Sequence, residues 1–156
     1  MKLSLTKQKI RVTKLFTFDM AHALYGYDGP CKNIHGHSYR LEVTVLGKAL
    51  QESGHPKDGM LMDFGDLKKI VNEAVVNQFD HALVLNGQSP HKDLDRMRDN
   101  FEKIIYVDYQ PTCENLLLDF RERIAAKLPN SVRMVSMRLH ETANAFAEWN
   151  ETDQPR

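Results

Sequence analysis

The sequence predicts an α+β domain: a four-stranded antiparallel sheet with two helices packed on one face, in the order ββααββ. Three observations carry this. Apolar residues fall at every second position over 10–22 and 37–47, and again over 132–141 and 145–149. Between these pairs, two stretches repeat apolar residues at three- and four-residue spacing. Each pair of strands is adjacent in the chain, so hairpins at both ends make the sheet antiparallel.

Taken in order, residues 10–22 are β-branched and aromatic at alternate places, with Phe16, Phe18, Met20 and His22 sharing one parity. Tyr25 to Pro30 packs two glycines, an aspartate and a proline into six positions, which is turn chemistry. The second strand runs over 37–47, and a polar loop follows over 51–59. Asp63 opens the first helix, whose apolar face is Leu67, Ile70, Val71, Ala74, Val75 and Phe79, and an acid at that end suits the helix dipole. Residues 86–103 are charged and irregular and read as a surface insertion with at most a helical turn, and Ile104–Val107 has the makings of a short strand. Thr112 caps a second helix that directs Leu116, Leu117, Phe120, Ile124 and Leu128 inward and stops at Pro129-Asn130. In the third strand Val135, Met137, Leu139 and Glu141 share the inward parity, and residues 151–156 form a loose tail.

The whole chain of 156 residues suits a single domain. Its 21 basic and 21 acidic side chains cancel, which removes the electrostatic footprint of a nucleic-acid binder or of a protein held on anionic lipid. Two cysteines, Cys31 and Cys113, do not make a disulfide framework, and neither a secretory signal nor a membrane-length apolar run is present. A reducing cytoplasm is the expected location.

The chemistry concentrates in Cys31-Lys32-Asn33-Ile34-His35-Gly36-His37. Histidines two apart on a strand point the same way, and His35 and His37 share parity with Tyr39, Leu41, Val43 and Val45. His22 has the inward parity of its own strand. Three imidazoles on inward faces are costly to bury without partners, and a metal satisfies all three. Three neutral nitrogens with one open position is the donor set of a catalytic Zn²⁺. Histidines in strands also serve as plain hydrogen-bond donors, so the reading rests on all three together.

Six segments, in order, carry a resemblance: Phe18-Asp19-Met20-Ala21-His22; Cys31 to Tyr39; Gly59 to Phe64; Phe79-Asp80-His81 with Leu85-Asn86; Pro111-Thr112-Cys113-Glu114-Asn115; and Glu141-Thr142. Over about residues 11–149 the chain resembles the 6-pyruvoyltetrahydropterin synthase and 6-carboxytetrahydropterin synthase family. The resemblance implies the tunnelling fold, in which sheets of several subunits join into a barrel. It also implies a homohexamer of two trimers, with active sites between subunits. It places Zn²⁺ on His22, His35 and His37, and makes Cys31 and the pair Asp80-His81 the catalytic groups. Glu141 would anchor the pterin, with Thr112 and Glu114 forming the same pocket. A cysteine works as a base in its thiolate form, which a nearby cation favours. A histidine titrates near neutral pH, and a neighbouring carboxylate fixes its tautomer.

The spacing Cys-x₃-His-Gly-His resembles the bacterial carboxy branch, which feeds queuosine and related deazapurine synthesis. The substrate implied is 7,8-dihydroneopterin triphosphate, converted to 6-carboxy-5,6,7,8-tetrahydropterin with release of acetaldehyde and triphosphate. The pyruvoyl-forming reaction, which eliminates triphosphate without breaking a carbon–carbon bond, is the alternative. A three-histidine zinc hydratase or hydrolase and a non-catalytic zinc-stabilised pterin-binding module are two further classes. The first leaves Cys31, Glu141 and Thr112-x-Glu114 without work. Against the second, structural zinc sites are usually closed and cysteine-rich.

Overall fold

A computed structural model describes residues 5–155. Strands β1 (Ile10–His22) and β2 (His35–Gly47) form a long antiparallel hairpin. Helix α1 (Phe64–Val71) runs through a π-helical turn, Asn72–Val76, into the short α2 (Asn77–Phe79). Two short strands, β3 (Leu83–Asn86) and β4 (Ile104–Val107), flank a 3₁₀ turn (Pro90–Asp93) and a single helical turn, α3 (Asp95–Arg98). Helix α4 (Cys113–Ala125) leads to the second hairpin, β5 (Val132–Thr142) and β6 (Ala145–Asn150).

The sheet has six strands in the order β4-β3-β1-β2-β5-β6, not four, and it is mixed. The β1–β2, β2–β5 and β5–β6 pairs are antiparallel as expected, whereas β3 pairs parallel to β1 and β4 parallel to β3. The reason lies in burial. Leu83, Val84 and Leu85 are all buried, because a parallel strand covered on both faces has no polar side to alternate with. A four-residue apolar run without period two gives no strand signal of its own.

The two long helical segments pack on one face. Phe16, Phe18, Met20, Tyr39, Leu41, Val43 and Val45 meet Leu67, Val71, Val75, Phe79, Leu116, Phe120 and Ile124 in one continuous core. Phe120 stands edge-on to both Phe79 and Phe18, with ring centroids 4.7 and 6.0 Å apart. A smaller cluster of Ala23, Leu83 and Leu85 lies apart from it.

Three details differ from the sequence reading. Strand β2 begins at His35 rather than 37, so both its histidines are in the ladder. Pairing steps from Thr44–Ser136 to Val45–Met134, so Val135 sits in a β-bulge and Met134 takes its place in the main core. The tail is held rather than loose over Glu151–Asp153, where a 3₁₀ turn is capped by Asn150 and Arg133 donates to Glu151 at 2.8 Å. Arg156 lies outside the described residues.

Candidate active site

The β1–β2 register sets the site. His22 lies directly opposite His35, and Met20 opposite His37, so three rings on one face converge at the end of the hairpin. Their ring centroids are 4.6, 4.9 and 5.2 Å apart, and one ring nitrogen from each lies within 4.8 Å of the others. His22 is buried, and His35 and His37 are half-buried.

Main-chain carbonyls fix how these rings present their nitrogens. His22 Nδ1 donates to the Pro111 carbonyl at 2.7 Å, and His35 Nδ1 donates to the Asn33 carbonyl at 2.7 Å. A carbonyl can only accept, so the proton of each neutral ring is on Nδ1 and each Nε2 carries a lone pair. Those two Nε2 atoms face each other at 3.1 Å, a separation at which two lone pairs repel. His37 Nε2 is buried beside them without a hydrogen-bond partner. A cation between the three relieves both problems. Zn–N bonds of about 2.0–2.1 Å at a tetrahedral angle separate two nitrogens by about 3.3 Å, close to what is seen. The donor set therefore fits zinc.

Electrostatics point the same way. Burial depresses the His22 pKa, against the opposing pull of the Pro111 carbonyl and the Glu141 carboxylate. Burial likewise lowers that of His37, with Glu141 opposing and His35 adding to it. Both rings are thus kept neutral, as ligands must be. Glu141 faces them, its oxygens 3.7 Å from His37 Nε2 and 4.0 Å from His22 Nε2. These distances are too long for hydrogen bonds but leave the carboxylate aimed at the same space.

Cys31 sits half-buried in a 3₁₀ turn, Pro30–Lys32, within the twelve-residue loop that joins the paired His22 and His35. The buried Tyr39 hydroxyl senses it. Burial, and then the charges of Glu141, Cys113 and Cys31, push that phenol far above its ordinary value. Cys31, Glu141 and the histidines therefore share one neighbourhood. Thr112 serves as the N-cap of α4, accepting from Asn115 N–H at 3.2 Å, while Glu114 is exposed in the first turn and is not drawn to Glu141. Cys113 donates its thiol to the Leu139 carbonyl at 3.2 Å, and burial lifts its pKa to about 11.

Asp80 and His81 form a second group with Asp19, distinct from the three histidines. His81 Nδ1 is 3.0 Å from Asp80 Oδ2, and Asp80 Oδ1 accepts from the Asp19 N–H at 3.0 Å. Desolvation alone would raise the Asp80 pKa, but the Asp19 N–H and the His81 ring outweigh it and hold the carboxyl ionised. His81 is 77 % exposed and has φ +60°, in the left-handed region that costs a residue with a side chain about 1–2 kcal/mol. A cavity of about 920 Å³ is lined by Asp19, Asp80, His81, His37, Ser38 and Lys103, so it touches both groups.

The structure adds residues the sequence reading passed over. The Pro111 and Asn33 carbonyls orient His22 and His35, Asp19 holds Asp80, and Ser38 donates to Asp19 at 2.6 Å. Pro111, Asn33, Asp19 and Ser38 all stand inside the six segments, but a main-chain role leaves no side-chain signal. His140 faces away from the site, as its parity requires. It is nevertheless buried, between Phe146 at 4.7 Å and the Arg40 and Glu42 side chains.

Residues 11–152 match the family model described as 6-pyruvoyl tetrahydropterin synthase. The chain belongs to this family. It is 34 % identical over 146 residues to a 6-carboxy-5,6,7,8-tetrahydropterin synthase of Haemophilus influenzae, covering 90 % of this chain and 99 % of that one. The Rickettsia typhi protein of the same name is 32 % identical over 143 residues, covering 89 % and 99 %. Among solved structures, an uncharacterized Wolinella succinogenes protein, WS1659, superimposes with a TM-score of 0.74 at 17 % identity, over 93 % of this chain and 99 % of that one. The Caenorhabditis elegans 6-pyruvoyl tetrahydropterin synthase gives 0.67 at 21 %, over 92 % and 96 %. At these identities the likeness is one of fold: the α+β tunnelling type with two long helical segments.

Proposed function

We propose that this member of the tetrahydropterin synthase family is a zinc-dependent lyase. It converts 7,8-dihydroneopterin triphosphate to 6-carboxy-5,6,7,8-tetrahydropterin, releasing acetaldehyde and triphosphate. The convergence of His22, His35 and His37 Nε2 atoms, two of them 3.1 Å apart with their protons held elsewhere, carries this reading. The bacterial relatives that bear the carboxy name favour that product over the pyruvoyl one.

When bound, zinc supplies Lewis-acid chemistry, making the substrate's C–H next to a ligated hydroxyl more acidic. Cys31 takes up a proton there. His81, its ring held by the Asp80 carboxylate, is the second proton-transfer group. Glu141 accepts the 2-amino and ring N–H donors of the pterin side by side, and Thr112 and Glu114 bound the same pocket. Because the Asp80–His81 pair and the three histidines are separate groups in a single subunit, the working site lies between subunits of a homohexamer. The product enters queuosine and related deazapurine synthesis in the cytoplasm.

The test is an incubation of zinc-loaded protein with 7,8-dihydroneopterin triphosphate. Acetaldehyde and the carboxypterin are expected. A pyruvoyl product would move the protein to the other branch, and absence of any turnover would remove the catalytic reading.

A further inference from the structure

Helix α2 ends in an unusual way. A helix that closes with a left-handed residue normally turns that residue's N–H back onto one of its own last carbonyls. Here the left-handed residue is His81, and its N–H donates instead to the Asp19 carbonyl on β1, at 2.6 Å. The final carbonyls of α2 thus lose their usual donor. Lys103, at the far end of the 86–103 segment, supplies the replacement. Its Nζ donates to the Asn77 carbonyl at 3.0 Å and to the Asp80 carbonyl at 2.8 Å. A positive charge at a helix C-terminus also meets the negative end of the dipole.

The ammonium has an internal rather than a ligand-binding task. Two of its three N–H donors are committed to carbonyls of the turn that bears the Asp80–His81 pair. Its charged neighbours along the 920 Å³ cavity include Asp19, Asp80 and Glu102, an acidic surrounding that does not suit a triphosphate. Its link to the pair is direct, through the carbonyl of Asp80 itself.

We infer that Lys103 is a positioning residue that holds the Asp80–His81 turn in its left-handed, catalytically presented form by capping α2 in place of the His81 N–H. This rests on the reading of His81 as a proton-transfer group. Strained conformations persist only where several contacts over-determine them, and among the described residues this ammonium alone bridges both carbonyls of the turn.

Two variants and two readouts test it. In Lys103→Met, kcat falls about tenfold or more while KM stays within about twofold, because the pair is displaced and the pterin contacts are kept. Lys103→Arg keeps two donors for the same carbonyls and recovers most of kcat. Imidazole NMR of metal-free protein reads the His81 ring without turnover: its Asp80-bound Nδ1–H signal broadens or shifts in Lys103→Met and stays in Lys103→Arg. Wild-type kcat together with an unchanged His81 spectrum in Lys103→Met would overturn the inference, as would equal loss in both variants. If wild-type protein fails to turn over the substrate while the His81 spectrum still depends on Lys103, the proposed reaction is wrong and the clamp stands.

Discussion

His22 depends on Pro111 and His35 on Asn33 for the orientation that bares their lone pairs, so metal binding is a property of these pairs as much as of the rings. Replacing His22 with Ala should lower bound zinc from one per subunit to near zero, as read by elemental analysis of purified protein. His81→Ala should lower turnover with pterin binding largely kept, and unchanged turnover would take His81 out of the mechanism. His81→Gly separates strain from function: it should raise stability in urea by about 1 kcal/mol by removing the left-handed penalty, while activity falls as in the Ala variant. Burial also gives the metal-free protein a pH signature. The folded-state pKa values of His22 and His37 lie below the ordinary 6.5, so the unfolded polypeptide binds more protons. Stability is full above about pH 6.5 and declines as the pH falls from there toward the depressed folded values. The metal-free Tm should accordingly drop between about pH 7.5 and 5, and drop less in a His22→Asn variant.

Among the elements, α4 is the most strongly tied to both core and site. Phe120 is fully buried between Phe18 and Phe79, so Phe120→Ala should cost about 3–5 kcal/mol in denaturant unfolding. Thr112→Ala removes the cap and should cost about 1 kcal/mol. How far such elements were legible varied with their physics. Alternation exposed the inward sets Phe16-Phe18-Met20-His22 and Tyr39-Leu41-Val43-Val45, because an antiparallel strand with one solvated face writes its orientation into the residue order. Strand β3 is covered on both sides and writes nothing of the kind. The Val135 bulge was equally hidden, since one extra residue shifts parity without altering residue type. For the site, the side chains that converge were readable from parity and from the six segments. The left-handed turn at His81 and the Lys103 cap were not, being main-chain events decided by where β1 passes.

At the scale of the whole molecule, the sheet ends on β4 at one side and β6 at the other. Open edges of this kind invite pairing with another subunit. Sedimentation of the zinc-loaded protein should give six times the subunit mass, and a stable monomer retaining full turnover would contradict sites shared between subunits. Among the described residues no helix is long and apolar enough to cross a membrane.

The facing of His22 and His35 across the first hairpin has one more consequence. A slip of one residue in that pairing would throw the two rings to opposite sides of the sheet. Only a correctly aligned hairpin can capture the ion, so metal uptake doubles as a proofreading signal for assembly: a mispaired one is left both empty and inside out.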